Sequence, residues 1–297
     1  MSATMVDHDD AVARAHRVLL GLAGRVPDEV LAAARLRLAE GVLPDLRESV
    51  AHRFSFAASA DPGGPALLDL SAGDLDPLDR AAAEAAAGES GARALWRSWR
   101  IPATAAPPVR VYVLEAGAAE ATLPRLTAAV MTALLDAGLT APQVETYHSD
   151  VDLLPCQHAA RGASALIWTR DERPPPRLAR VFDRGGAAGV GFDPGHERLS
   201  GAERDRVAGY LDGGEPILAT TRSAPDVFAP ELGPIVPAGF RTDGRWIWTD
   251  TVTYYLRTYS LAPDAELLGH IRANDYAAVD VDAAAEHRAL ALLLTRG

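Results

Sequence analysis

Over the first sixty positions, apolar residues recur at helical spacing. Val12, Ala15, Leu19 and Leu22 fall on one stripe, and Gly24 closes the run. Pro27 suits a first helical turn, where Asp28 and Glu29 complement the positive end of the helix dipole. Val30, Leu31, Ala34 and Leu38 give a second stripe ending at Gly41, and a third short helix is expected over residues 43–54. Residues 1–56 therefore read as a helical unit. It is too small to build a core of its own, so it should dock on the remainder of the protein or on a partner.

The pattern then thins. Residues 57–91 are rich in Ala, Gly, Asp and Pro, and Asp61-Pro62-Gly63-Gly64-Pro65 is a strong turn signal. A helix is predicted from Pro77, continuing through Trp96 and Trp99, which are three apart and would share a buried helix face. Pro102, Pro107 and Pro108 break the chain. Residues 57–108 thus read as a connector carrying one helix, with a boundary at its end.

Residues 109–297 have the clearest rhythm. Apolar runs predict strands over 109–114, 144–148 and 165–168, with a helix from Pro124 through Leu134 to Gly138 between the first two. A β-α-β unit of this kind favours a partly parallel sheet. Further strands are expected over 178–182 and 216–221, and Ser200 with Glu203 has the spacing of a capping box. Asp243-Gly244 signals a hairpin between Phe240 and Trp246. Helices over 250–259, 263–272 and 282–294 close the chain. The expected class is α/β: an N-terminal helical unit followed by a mixed, partly parallel sheet domain with flanking helices.

Composition removes several mechanisms. All 29 basic residues are Arg, so Schiff-base chemistry, a P-loop and a protein-kinase phosphate clamp lack their Lys. The Arg, Ala, Gly and Pro usage is that of a high-GC bacterial genome. A net charge of −11 disfavours nucleic acid and anionic membrane surfaces and suits a basic partner. Cys156 is the single cysteine, which excludes an intrachain disulfide and a multi-Cys zinc site. The opening residues are acidic, and no run approaches the roughly 18 apolar residues of a membrane span. Cytoplasm is the expected compartment.

Familiar catalytic motifs are missing. Ser164 lacks the second Gly of a nucleophile elbow, Gly189-Val190-Gly191 lacks the third Gly of a dinucleotide fingerprint, and His196-Glu197 is not followed by a second His. The best catalytic candidates are His148, Asp150 and Asp152. A strand continuing through them would present all three on one face, suited to a divalent metal or to acid–base work. The competing reading is a strand entering a solvated turn. Because no matching ligand set is evident, neither a bound metal nor a cofactor is expected. Asp193-Pro194-Gly195-His196-Glu197 could add a second cluster but reads first as turn chemistry. Cys156, beside Gln157 and His158, reads as a buried apolar thiol.

The most distinctive stretch is an aromatic cassette. On a strand, Trp246 and Trp248 face the same way. On the following helix Val252, Tyr255, Leu256 and Tyr259 share a face, which suits a core corner. Arg245, Tyr254 and Arg257 fall off that face and are the candidates for partner contact. The run from Thr242 to Trp248, with Tyr254-Tyr255-Leu256-Arg257 and the segment from Pro263 to Arg272, resembles a C-terminal module of uncharacterised high-GC bacterial proteins. The segment from Leu19 to Asp28 is similar to an N-terminal helical unit of such proteins. The resemblance spans about a third of the chain and implies no catalytic residues. By analogy it implies an accessory interaction protein of the toxin-immunity kind. The expected function is therefore binding to an unidentified, basic protein partner. The alternative is a small-molecule enzyme, metal-dependent or not, built on His148, Asp150 and Asp152.

Overall fold

A computed structural model describes residues 3–44, 53–61, 63–186 and 189–296. The chain divides into two compact units, Met1–Glu172 and Arg173–Gly297.

In the first unit, α1 (Ala3–Gly21) and α2 (Asp28–Ala39) bury the predicted stripes together: Val12, Leu19, Leu22, Leu31, Ala34 and Leu38 form one cluster. Gly24, with φ at +72°, makes the reversal between them. β1 (Phe54–Ala57) and β2 (Leu68–Asp69) follow, then α3 (Pro77–Gly88), whose first amides are capped by the Asp76 carboxylate. β3 (Ala92–Pro102), β4 (Val109–Ala116), α4 (Leu123–Asp136), β5 (Gln143–His148), α5 (Pro155–Arg161) and β6 (Ala165–Thr169) complete it. The sheet runs β2-β6-β3-β4-β5, with β1 also on β3. β4 and β5 are parallel and joined through α4, as the apolar rhythm predicts. Leu95, Tyr112, Leu114 and Val144 meet Leu126, Val130, Met131 and Leu134 of α4 in the core.

The largest departure from the sequence reading is residues 92–102. Trp96 and Trp99 stand on a strand, not a helix. β3 pairs with β4 along one side, and with β6 and then β1 along the other. Its period is two: Leu95 enters the core beside α4, while Trp96 packs on the other face with Arg161 of α5 over its ring. Residues 57–108 therefore supply two strands of one sheet, β2 and β3, together with α3, and the Pro-rich stretch 103–108 is the link of the antiparallel pair β3 and β4. The division between units falls after Glu172. Most of the expected helix over 43–54 lies outside the described residues, and Phe54 opens β1.

In the second unit, β7 (Arg177–Leu178), α6 (Gly201–Gly213), β8 (Glu215–Leu218), β9 (Ser223–Pro225), β10 (Pro234–Pro237), β11 (Phe240–Thr242), β12 (Trp246–Thr249), α7 (Asp250–Tyr259), α8 (Ala265–Ala273) and α9 (Ala283–Arg296) appear in order. The sheet runs β7-β12-β11-β8, with β7 parallel to β12 and the other pairs antiparallel. The hairpin turns at Asp243-Gly244, where Gly244 has φ at +84°. Trp246, Trp248, Val252 and Leu256 are buried with Leu211, Leu267, Leu268 and Ile271. The expected capping box does not close. Ser200 stands at the N-cap without a side-chain bond, and the Glu203 carboxylate, in place of reaching back to Ser200, pairs with Arg272 at 2.9 Å. β9 and β10 form a separate antiparallel pair; the two larger sheets each pack with helices and contain parallel pairing, so the chain is α/β. Among the described residues no helix is long and apolar enough to cross a membrane.

Candidate functional site

β5 ends at His148 because the next residues fold back on it. The Asp150 amide donates to His148 Nδ1 at 3.1 Å, the Val151 amide to the His148 carbonyl at 3.0 Å, and Ser149 Oγ to Asp150 at 3.0 Å. This turn separates the three residues that a continuous strand would align. His148 and Asp152 line a cavity, whereas Asp150 is exposed and outside its lining.

The cavity encloses about 120 Å³ at the carboxyl end of β5, the end at which parallel α/β sheets commonly hold ligands. Ala13, His16, Arg17 and Leu20 of α1 form one wall. Glu120, Leu123, Leu153, Leu154 and Gln157 complete a mostly apolar lining. Arg17 is paired with Glu120 at 3.2 Å.

The two imidazoles differ in tautomer. His16 is buried, and its Nε2 donates to the Thr146 carbonyl at 2.8 Å. Burial lowers its pKa to about 4, the Thr146 bond opposing, Arg35 assisting and Glu120 opposing. A neutral ring with Nε2–H committed keeps its lone pair on Nδ1. His148 is the reverse: its Nδ1 accepts from the Asp150 amide, which leaves the proton on Nε2. One ring brings an acceptor to the cavity and the other a donor.

Behind this wall lies a buried polar network. Arg35 of α2 and Glu145 of β5 pair at 2.7 Å with their side chains 2% and 3% exposed. Gln157 of α5 donates through Nε2 to Glu145 at 2.8 Å and to the Leu20 carbonyl at 3.0 Å. Both of those partners only accept, so the amide orientation is fixed. Gln157 Oε1 is thereby left buried without a hydrogen-bond partner, as is Arg35 Nη1. Such an orphan costs about 1–3 kcal/mol. Cys156, adjacent to Gln157, is not an activated nucleophile: burial pushes its thiol up to about 11, and Glu145 adds to the effect.

The remaining candidates are engaged elsewhere. His196 is held between Asp183 at 2.8 Å and the Ala262 carbonyl at 2.9 Å, both ring nitrogens committed. Arg245 donates to the Pro175 carbonyl at 2.8 Å, Tyr254 to buried Asp226 at 2.8 Å, and exposed Arg257 pairs with Asp212. The three side chains proposed for partner contact thus serve three different internal acceptors. Among the described residues, no group of three or more His, Cys, Asp or Glu is placed to hold a metal ion.

Sequence reasoning missed His16 and gave Gln157 no role. A signal for His16 exists: it lies on the apolar stripe of α1 between Val12 and Leu19, where a polar side chain must be satisfied or functional. Gln157 carries no comparable mark, since its importance comes from Glu145, twelve positions away. Comparison with family models, with curated proteins and with solved structures found no match to this chain.

Proposed function

We propose that this protein binds a small organic molecule in the cavity between α1 and the end of β5. The observation that supports this reading is the pairing of a mostly apolar cavity with a lining residue, Gln157, whose buried Oε1 takes no hydrogen bond. Proteins leave few such atoms unsatisfied, and those that remain call for a ligand or an ordered water. His16 and His148 add one acceptor and one donor, the polar points that orient a ligand in an apolar pocket.

The test is a fragment library screened by ligand-observed NMR against the full chain and against Val151→Trp. Val151 lines the cavity yet is exposed, so a Trp there blocks the opening without invading the core. Hits are expected on the native chain and lost on the variant. An empty screen, or hits indifferent to the variant, defeats the proposal.

A second reading, contact with a protein partner, rests on a different observation in the second unit. Phe228 is 49% exposed while stacked on Phe192 and packed on Tyr259, and Leu232 and Ile235 nearby in sequence are also exposed. A rigidly supported exposed aromatic is a typical interface anchor. This reading requires a stoichiometric complex that Phe228→Asp abolishes while the fold is kept.

A further inference from the structure

We infer that His196 is a proton-operated clasp in the second unit, closed only while its ring is an imidazolium. The clasp depends on no ligand or partner. Both ring nitrogens face groups that can only accept. Nδ1 lies 2.8 Å from one oxygen of Asp183 and 3.1 Å from the other, and Nε2 lies 2.9 Å from the Ala262 carbonyl. A neutral imidazole has one N–H, so it makes one of these bonds and turns a lone pair on the other acceptor; the cation makes both. Burial raises the Asp183 carboxyl, but the Asp193 amide at 2.7 Å and His196 outweigh it and hold the group below the usual range, so it stays ionised.

The surrounding charges point the same way. Four carboxylates and Arg180 share a surface hollow with His196. Asp264 pairs with Arg180 at 2.9 Å, Asp193 with Arg184 at 2.9 Å and Glu197 with Arg272 at 3.1 Å. Among the described residues the ion-pair partner of Asp183 is His196. Phe192 meets the imidazole edge-on at 5.0 Å, and Tyr255, packed on Phe192, accepts the Val227 amide at 3.1 Å. The clasp joins two stretches of chain. The Leu199 amide bonds the Ser260 carbonyl and the Ala262 amide the Glu197 carbonyl, each at 2.9 Å, and His196 extends this seam to Asp183 and, through it, to Asp193. Phe192 also stacks on the exposed Phe228. Histidine ordinarily changes charge between about pH 5 and 8, so acid closes the clasp and alkali loosens the support of Phe228.

The experiment follows ring nitrogens and backbone amides of the full chain by NMR between about pH 5 and 8. It is repeated on His196→Gln and Asp183→Asn. Two protonated nitrogens are expected on His196 at the acid end and one at the alkaline end, with the Asp193, Leu199 and Phe228 amides shifting at the same midpoint. Those shifts should vanish in His196→Gln. In Asp183→Asn, which keeps an acceptor but removes the charge, the midpoint should move to lower pH. A ring that carries a single proton at the acid end overturns the clasp. So do amides that stay still while the ring titrates, shifts that survive in His196→Gln, or a midpoint indifferent to Asp183→Asn.

Discussion

Two buried carboxylates, one in each unit, organise their surroundings in opposite ways. Asp243 accepts the Arg245 amide at 2.8 Å and the Trp246 amide at 2.6 Å on one oxygen, and Tyr210 Oη at 2.6 Å and His270 Nε2 at 2.8 Å on the other. Its neighbour in role, Asp226, is likewise filled by the Phe228 amide, Tyr254 and Tyr259. Burial works against the Asp226 charge, yet those bonds hold its carboxyl below the usual range. Glu145 anchors Arg35 and Gln157 just as firmly, but Arg35 Nη1 and Gln157 Oε1 are left over. Orphaned hydroxyls on Thr249 and Thr253 occur in the second unit and belong to neither of its networks. A saturated network pins a hairpin or a loop; an unsaturated one beside a cavity has capacity for something else. Counting leftover atoms separates the two roles where counting charged residues does not.

The sharpest way to break this contrast is to disturb Glu145. Replacing Arg35 with Met strands a buried carboxylate and is expected to cost about 3–5 kcal/mol in urea melts of the first unit. Arg35→Met with Glu145→Met should recover most of that loss. A single variant that melts like the native chain would show that the pair is not buried as described.

His16 gives the next effect, and its sign can be worked out. Its folded pKa, about 4, lies below the usual 6.5, so the unfolded chain takes up the proton first as pH falls. The stabilisation is complete above about pH 6.5 and declines towards pH 4, by about 3 kcal/mol in all. Urea midpoints measured across that window should flatten in His16→Gln, and an unchanged slope would refute the buried neutral ring.

Asp243→Asn should cost about 2 kcal/mol, because an amide NH2 then faces the donors Tyr210 and His270. The smallest effect is expected at Cys156. Cys156→Ser should change stability by less than about 1 kcal/mol and leave ligand binding unaltered. Rapid alkylation of the native thiol at neutral pH would contradict its raised pKa.

Local patterns in the sequence foretold what local physics decides. The β4-α4-β5 unit, the Asp243-Gly244 hairpin and the apolar stripe of α7 all follow from periodicity and turn chemistry. β3 escaped because its Trp96/Trp99 spacing mimics a helix face, while its structure is set by pairings with strands distant in sequence. The site was half legible. His148 and Asp152 were picked out on a strand that in fact stops at His148, and the turn that stops it keeps both at the cavity while turning Asp150 out. Gln157 was illegible because an orphan atom is defined by three-dimensional surroundings. Ser200 and Glu203 show the reverse error: the spacing was right, but Arg272 offered the carboxylate a better partner.

The histidine of α1 also has a consequence for how the chain behaves in concentrated solution. β5 is the terminal strand of its sheet, and the outward carbonyl of Thr146 is covered by an imidazole in place of another strand. Removing α1 would uncover the Thr146 carbonyl on this edge strand, an unpaired acceptor where another copy can add. Such a truncated chain should cross-pair and precipitate at concentrations where the full chain stays dispersed, which makes α1 a guard against aggregation as well as a wall of the cavity.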